Sequence, residues 1–192
     1  MNIEFLNRFE EKIQNELLRI CTMRGMLSGV LLATDDVTEH WNVLAPEYVA
    51  DAVGQIAEYP TVSVAWAGYL GLAVAHGWDA NWEVCMRTPY KEYYGAHGFD
   101  DLDEHIIQHI LGLSLESKVA QDFESVIRSC AQTVVTLIRR EQIEPQSPMA
   151  FHVFARAIKV MYRIGAALEL KRLGYKFEEM QLPPYFNTSA EC

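Results

Sequence analysis

Asp101, His105 and His109 follow one another at i+4 intervals, so on a helix they project from one face. Two imidazoles and a carboxylate can hold a divalent ion such as zinc while leaving one position open for water, the arrangement of hydrolytic zinc centres. The only further donors in view are His97, Cys85 and His76. A His-x-x-x-His pair without the glutamate of HExxH is an unspecific spacing. The nearby acids also have a second explanation: Asp100 suits a helix N-cap, and Asp101, Asp103 and Glu104 fall where the positive end of a helix favours carboxylates. The sequence therefore predicts no cofactor, with a divalent metal at this cluster as the one exception it permits.

A second set is His152, Arg156, Lys159 and Arg163, which line one face of a helix near the C-terminal end. Three cations and an imidazole in a row suit a phosphate or an anionic partner. A row of this kind also makes an ordinary solvated face. A third use is pairing with the acidic face formed by Glu47, Asp51, Gln55 and Glu58.

The third set is aromatic. Trp78, Trp82, Tyr90, Tyr93, Tyr94 and His97, with Gly95 and Gly98, occupy a stretch without helical periodicity between Gly77 and Phe99. Rings with a polar end suit ligand pockets and protein interfaces, and loops carry function more often than core helices do. Alternatively, the rings pack onto the body of the protein to hold a long loop in place. Other signatures are missing from the sequence: no Walker-type loop, GxSxG elbow, dinucleotide fingerprint or DNA-reading helix-turn-helix is present. Cys130 lies in the apolar stripe of its helix, which makes it a core residue and not a nucleophile.

The elements that must position these residues are helices. Phe5, Phe9, Ile13, Leu17 and Ile20 set the period of the first, which Gly25 and Gly29 interrupt. Residues 34–39 read as a polar loop. Pro46 suits the first turn of a second helix with Val49, Ala52, Val53 and Ile56 on its apolar face. Pro60 stops it and opens a third, Thr61 to about His76, in which Ala67, Gly71 and Ala75 let a neighbour approach closely; being free of charge, it belongs at the centre. A short helix over Asp100–Leu111 follows. Ser114 caps a long helix to about Glu144, and Ser147 with Pro148 opens its antiparallel partner, ending before Gly174. The tail after Tyr175, with Pro183 and Pro184, reads as coil over the bundle. The expected fold is all-α, a single domain over residues 1–192 with about six helices and a long C-terminal helical hairpin.

Composition bounds the function. A chain of 192 residues, 50% hydrophobic and 22% charged, can bury a sizeable core. Its start lacks the pattern of a secretory signal, and Cys21, Cys85, Cys130 and Cys192 have no paired spacing, so a cytoplasmic setting with reduced thiols is expected. Tyr59–Trp78 carries no formal charge but is too diluted by small and polar residues to read as a membrane span. The net charge of −10 disfavours nucleic acid and anionic membranes. It is also unevenly spread: Gly25–Met86 holds eight acids and no Lys or Arg, whereas Lys118–Lys176 holds ten bases and five acids. Halves so opposed attract one another within a subunit or across an oligomer interface. The expected function is thus a non-enzymatic module of protein contact, a homodimer foremost. The alternative is a metal-dependent hydrolase or small-ligand binder with its pocket between the short helix and the aromatic loop 77–99.

Overall fold

The apolar spacing of the N-terminal stretch buries Leu6, Phe9, Ile13, Leu17 and Cys21 along one side of a helix, α1 (Ile3–Met23). Asn2 caps it by accepting from the Phe5 N–H at 3.0 Å, and Gly25 leaves it in the left-handed region with φ 70°. These residues belong to a computed structural model that describes residues 2–176. The expectations for the tail, its coil and Cys192 lie outside the described residues.

Residues 34–39 are not a loop. Thr34 accepts from the Val37 N–H at 3.2 Å and so caps α2 (Asp35–Gln55), with Asp35 and Asp36 in the first turn. Pro46 consequently sits inside this helix and not at its start. An internal proline costs about 3 kcal/mol. The helix continues through it because Val37, Trp41 and Leu44 before it and Tyr48 and Ala52 after it share one buried face. Burial of side chains such as these contributes about 1.5–3 kcal/mol each, which offsets the lost bond.

Pro60 opens α3 (Pro60–Cys85), which is buried without a break from Ser63 to Ala75, as its lack of charge implies. It runs nine residues beyond His76 and bends at Asn81, whose backbone is extended (φ −166°, ψ 96°) and whose side chain accepts from the Val84 N–H at 3.2 Å. Trp78 and Trp82 thus stand on a helix, and the irregular stretch begins only after Cys85.

A 3₁₀ turn over Tyr90–Tyr93 and another over Phe99–Asp101 lead into α4 (Leu102–His105), which widens to a π-helical turn over Ile106–Ile110. The helical hairpin follows as α5 (Lys118–Arg140) and α6 (Pro148–Arg172). Ser117, not Ser114, caps α5, accepting from the Ala120 N–H at 3.2 Å, and Ser147 caps α6 in the same way at 3.1 Å.

The bundle is built on a close crossing of α3 and α6. A Cβ added to Gly71 would collide with the Tyr162 carbonyl, and one added to Gly165 with the Gly68 carbonyl. Backbones in contact at two levels leave no room for any side chain there, so glycine is required by approach and not by φ. Around this crossing α1 packs on α5 and α6, α2 on α3 and α6, and α5 on α3. The buried residues form one contiguous hydrophobic core. Among the described residues three quarters of the chain's length is helical, there is no β-strand, and no helix is long and apolar enough to cross a membrane.

Candidate functional site

The segment carrying the histidine–acid cluster is pinned by Phe99, whose ring meets the edge of Trp66 at 4.6 Å and of Tyr48 at 5.8 Å. Neither Asp100 nor Asp101 caps α4 with its side chain. The Asp101 carboxylate turns back instead, accepting from the His97 backbone N–H at 3.1 Å and meeting its ring Nδ1 at 2.7 Å. The bond from that backbone N–H, followed by the ring contact, holds the Asp101 carboxyl below the usual range. His105 and His109 lie ring against ring, with centroids 5.0 Å apart and planes 41° from parallel. Cys85 faces the Val74 carbonyl and the Tyr93 hydroxyl, and His76 faces Glu169. The cluster therefore resolves into two pairs, Asp101 with His97 and His105 with His109. Among the described residues, no three or more His, Cys, Asp or Glu side chains gather as a metal site would need.

The basic stripe of α6 faces α1. Glu10, its side chain only 14% exposed, receives the Arg156 guanidinium and the Lys159 ammonium, the latter at 3.5 Å. One turn further along, Arg163 donates to the Gln14 side chain at 2.7 Å. The partner of the stripe is thus an acid on the first helix and not the Glu47–Glu58 face. A similar device closes the far end of α6: Glu169, fully buried, accepts from Arg172 through both oxygens at 2.5 and 2.7 Å and meets His76 Nδ1 at 2.9 Å. A carboxylate withdrawn from water is tolerable only when matched in this way. The helical period does mark Glu169, which stands four residues beyond Gly165 on the apolar face of α6, a signal that reading the charged residues as a stripe passed over.

The aromatic residues hold the end of α3 and the irregular segment after it to α2. Trp78 donates from its indole to Asp36 at 3.3 Å, Tyr94 donates to Asp51, and Trp82 meets the edge of His40 at 5.4 Å. Tyr93 is buried beside Cys85, and Tyr90 beside Tyr48 and Tyr94. Burial, together with the bond to Asp51, raises the Tyr94 phenol to about 12. Burial also pushes the His40 imidazole down, and its Nε2 has no hydrogen-bond partner among the described residues. His97, by contrast, remains 80% exposed.

Accounting for these pairs exposes a surface that motif reading missed. The outward side of α2 carries an apolar row, Val43, Pro46, Ala50 and Val53, at helical spacing, with Val43 64% exposed. Asp35, Asp36, Glu39 and Glu47 surround the row and are exposed, and none forms an ion pair among the described residues. Different in character is the groove between α1 and α5, of about 380 Å³, lined by Ser129, Gln132, Thr136 and Arg140 of α5 and by Glu16 of α1, which Arg19 already answers. Arg24 stands beside it, bonded to Ser125 and Ser129, both at 2.6 Å. Arg140 in its lining and Arg139 next to it in sequence are exposed without a carboxylate partner among the described residues. The signal for both surfaces was the uneven charge along the chain. No protein-family model matches this chain, and no curated protein or solved structure matches it.

Proposed function

We propose that the chain is a non-enzymatic interaction module that works as a homodimer, the outer face of α2 in one copy seated on the α1–α5 groove of the other. The observation that carries this reading is the α2 face itself, an exposed apolar row rimmed by carboxylates with no base to answer them. An apolar centre within a polar rim is the anatomy of an interface. Charge complementarity favours a second copy as the occupant: the groove supplies Arg24, Arg139 and Arg140, and the two helices are of similar length, Asp35–Gln55 and Lys118–Arg140. Reciprocal docking about a two-fold axis would use each surface once per copy and leave neither open.

A cytoplasmic setting accords with the free thiols of Cys21, Cys85 and Cys130. The metal-dependent hydrolase has less behind it, since the Asp101 carboxylate is engaged by His97 and not by the histidine pair. Sedimentation velocity at micromolar concentration and low salt tests the reading: a dimer is expected for the unaltered chain and a monomer for Glu39→Lys/Glu47→Lys. An unaltered chain that sediments as a monomer overturns it.

A further inference from the structure

We infer that the cleft where α3, α4 and α5 meet binds a small organic cation with an ammonium or guanidinium head. The cleft shares no lining residue with either surface assigned to the dimer, so this inference stands or falls separately.

Its wall is aromatic. Trp66 and Tyr69, one turn apart on α3, are 8% and 5% exposed and line a cavity of about 110 Å³. A water needs about 10–15 Å³ by the same measure, so there is room for a group of several heavy atoms. Asp103 of α4 and Glu124 and Arg128 of α5 form the polar part of the lining. Glu124 and Arg128 pair with one another and are more than half exposed, whereas Asp103 has no cationic partner among the described residues.

The second observation is the Tyr69 hydroxyl. The buried hydroxyls of Tyr48 and Tyr162 are both spent on backbone carbonyls, those of Ser63 and Val37, at 2.8 and 2.7 Å. As a residue Tyr69 is almost as deeply buried, yet its hydroxyl bonds to no other described residue and opens onto the cleft, where it feels Asp103, Glu124 and Arg128. A hydroxyl left open on the wall of an aromatic cleft is free to bond an occupant.

The charge decides which occupant. Two carboxylates outweigh one guanidinium, and that guanidinium is already committed to Glu124. An anion would be repelled, and a neutral molecule would leave the Asp103 charge unanswered. A cation against the Trp66 and Tyr69 rings gains from their π faces and from Asp103 together. The groups facing Asp103 support this: burial, against the bonds it accepts from its own and the Glu104 backbone N–H and together with the neighbouring carboxylates Glu104 and Glu124, leaves its carboxyl above the ordinary value. A bound cation would relieve that penalty, so cation and proton compete for the same place.

Nuclear magnetic resonance of the full chain, read at the Trp66 indole and assigned by loss of its signal in Trp66→Phe, tests the inference with n-butylammonium as probe. n-Butylguanidinium is the second cation, with n-butanol and butyrate as neutral and anionic counterparts. The expected result is saturable binding of the two cations with Kd of about 1 mM, the scale open to a ligand of so few atoms. Asp103→Asn weakens it by about tenfold, as expected for loss of a charge-assisted contact, and Tyr69→Phe weakens it to a lesser extent. In the unaltered chain, affinity falls as the pH is lowered and Asp103 takes up its proton, sooner than an ordinary carboxylate would. Glu124→Gln, at the exposed rim and safe for folding, should also weaken binding. Butanol binding as tightly as butylammonium, or an affinity unmoved by Asp103→Asn, Glu124→Gln and pH alike, overturns the inference.

Discussion

The carboxylates that meet α6 and those on the outside of α2 are the same chemical groups put to opposite uses. Glu10 and Glu169 are withdrawn from water and answered by Arg156, Lys159, Arg172 and His76. Asp35, Asp36, Glu39 and Glu47 are left exposed, and none pairs with a base among the described residues. The first set holds helices together, because a buried charge without its partner is costly. The second contributes little to the fold, which leaves it free for recognition. The location of an acid, more than its number, separates structure from candidate function in this chain.

Substitutions can break that contrast, and the largest effect is expected at Glu169. Glu169→Ala leaves a cavity and strands Arg172 and His76, and denaturant unfolding should show a loss of about 3–4 kcal/mol. Glu10→Lys sets a third cation beside Arg156 and Lys159 on a partly hydrated seam, so a loss of about 2 kcal/mol is expected, with part of it recovered in high salt.

A pH series sharpens the contrast at the inner face of α2. Burial lowers the folded-state His40 value beneath its unfolded value of about 6.5, so the unfolded chain binds the proton more readily. The stability due to neutral His40 is therefore complete above about pH 6.5, declines as pH falls toward the folded value, and levels off below it. His40→Leu should flatten that part of the profile, so that the loss of stability between pH 7.5 and pH 5.5 is smaller than in the unaltered chain. A profile identical to that of the unaltered chain would remove His40 from the account. The smallest effect belongs to the outer face, where Glu47→Lys, compared with the unaltered chain under conditions in which both are monomeric, should shift unfolding by less than about 0.5 kcal/mol. A loss as large as that of Glu10→Lys would erase the difference between the two regions.

The sequence made the helices legible because their signals are local and periodic. Ser147, Pro148 and Gly174 bound α6 where their chemistry requires, and the uncharged run from Thr61 is indeed the buried centre. It misplaced the start of α2, since Thr34, Asp35 and Asp36 serve equally well as loop residues or as a cap with an acidic first turn. Only the burial of Trp41 and Tyr48, a tertiary matter, draws the helix through Pro46. The same limit governs the site residues. That Asp101 meets His97, that Glu10 meets Arg156, and that Asp103, Glu124 and Tyr69 share one cleft are contacts between elements or turns of the backbone, which spacing along the chain does not encode. The charge imbalance was legible, but its division into paired and unpaired acids needed the packing of α1 on α6.

The central claim is that the unpaired α2 face and the α1–α5 groove recognise one another, and charge-swap complementation measures it directly. Glu39→Lys/Glu47→Lys and Arg139→Glu/Arg140→Glu are each brought to micromolar concentration in low salt, sedimented alone, then mixed. Each double variant should be a monomer alone, and the mixture should form a heterodimer in which lysines meet glutamates across the reversed faces. Two variants that each remain dimeric, or a mixture that stays monomeric while both proteins are folded, would contradict the account.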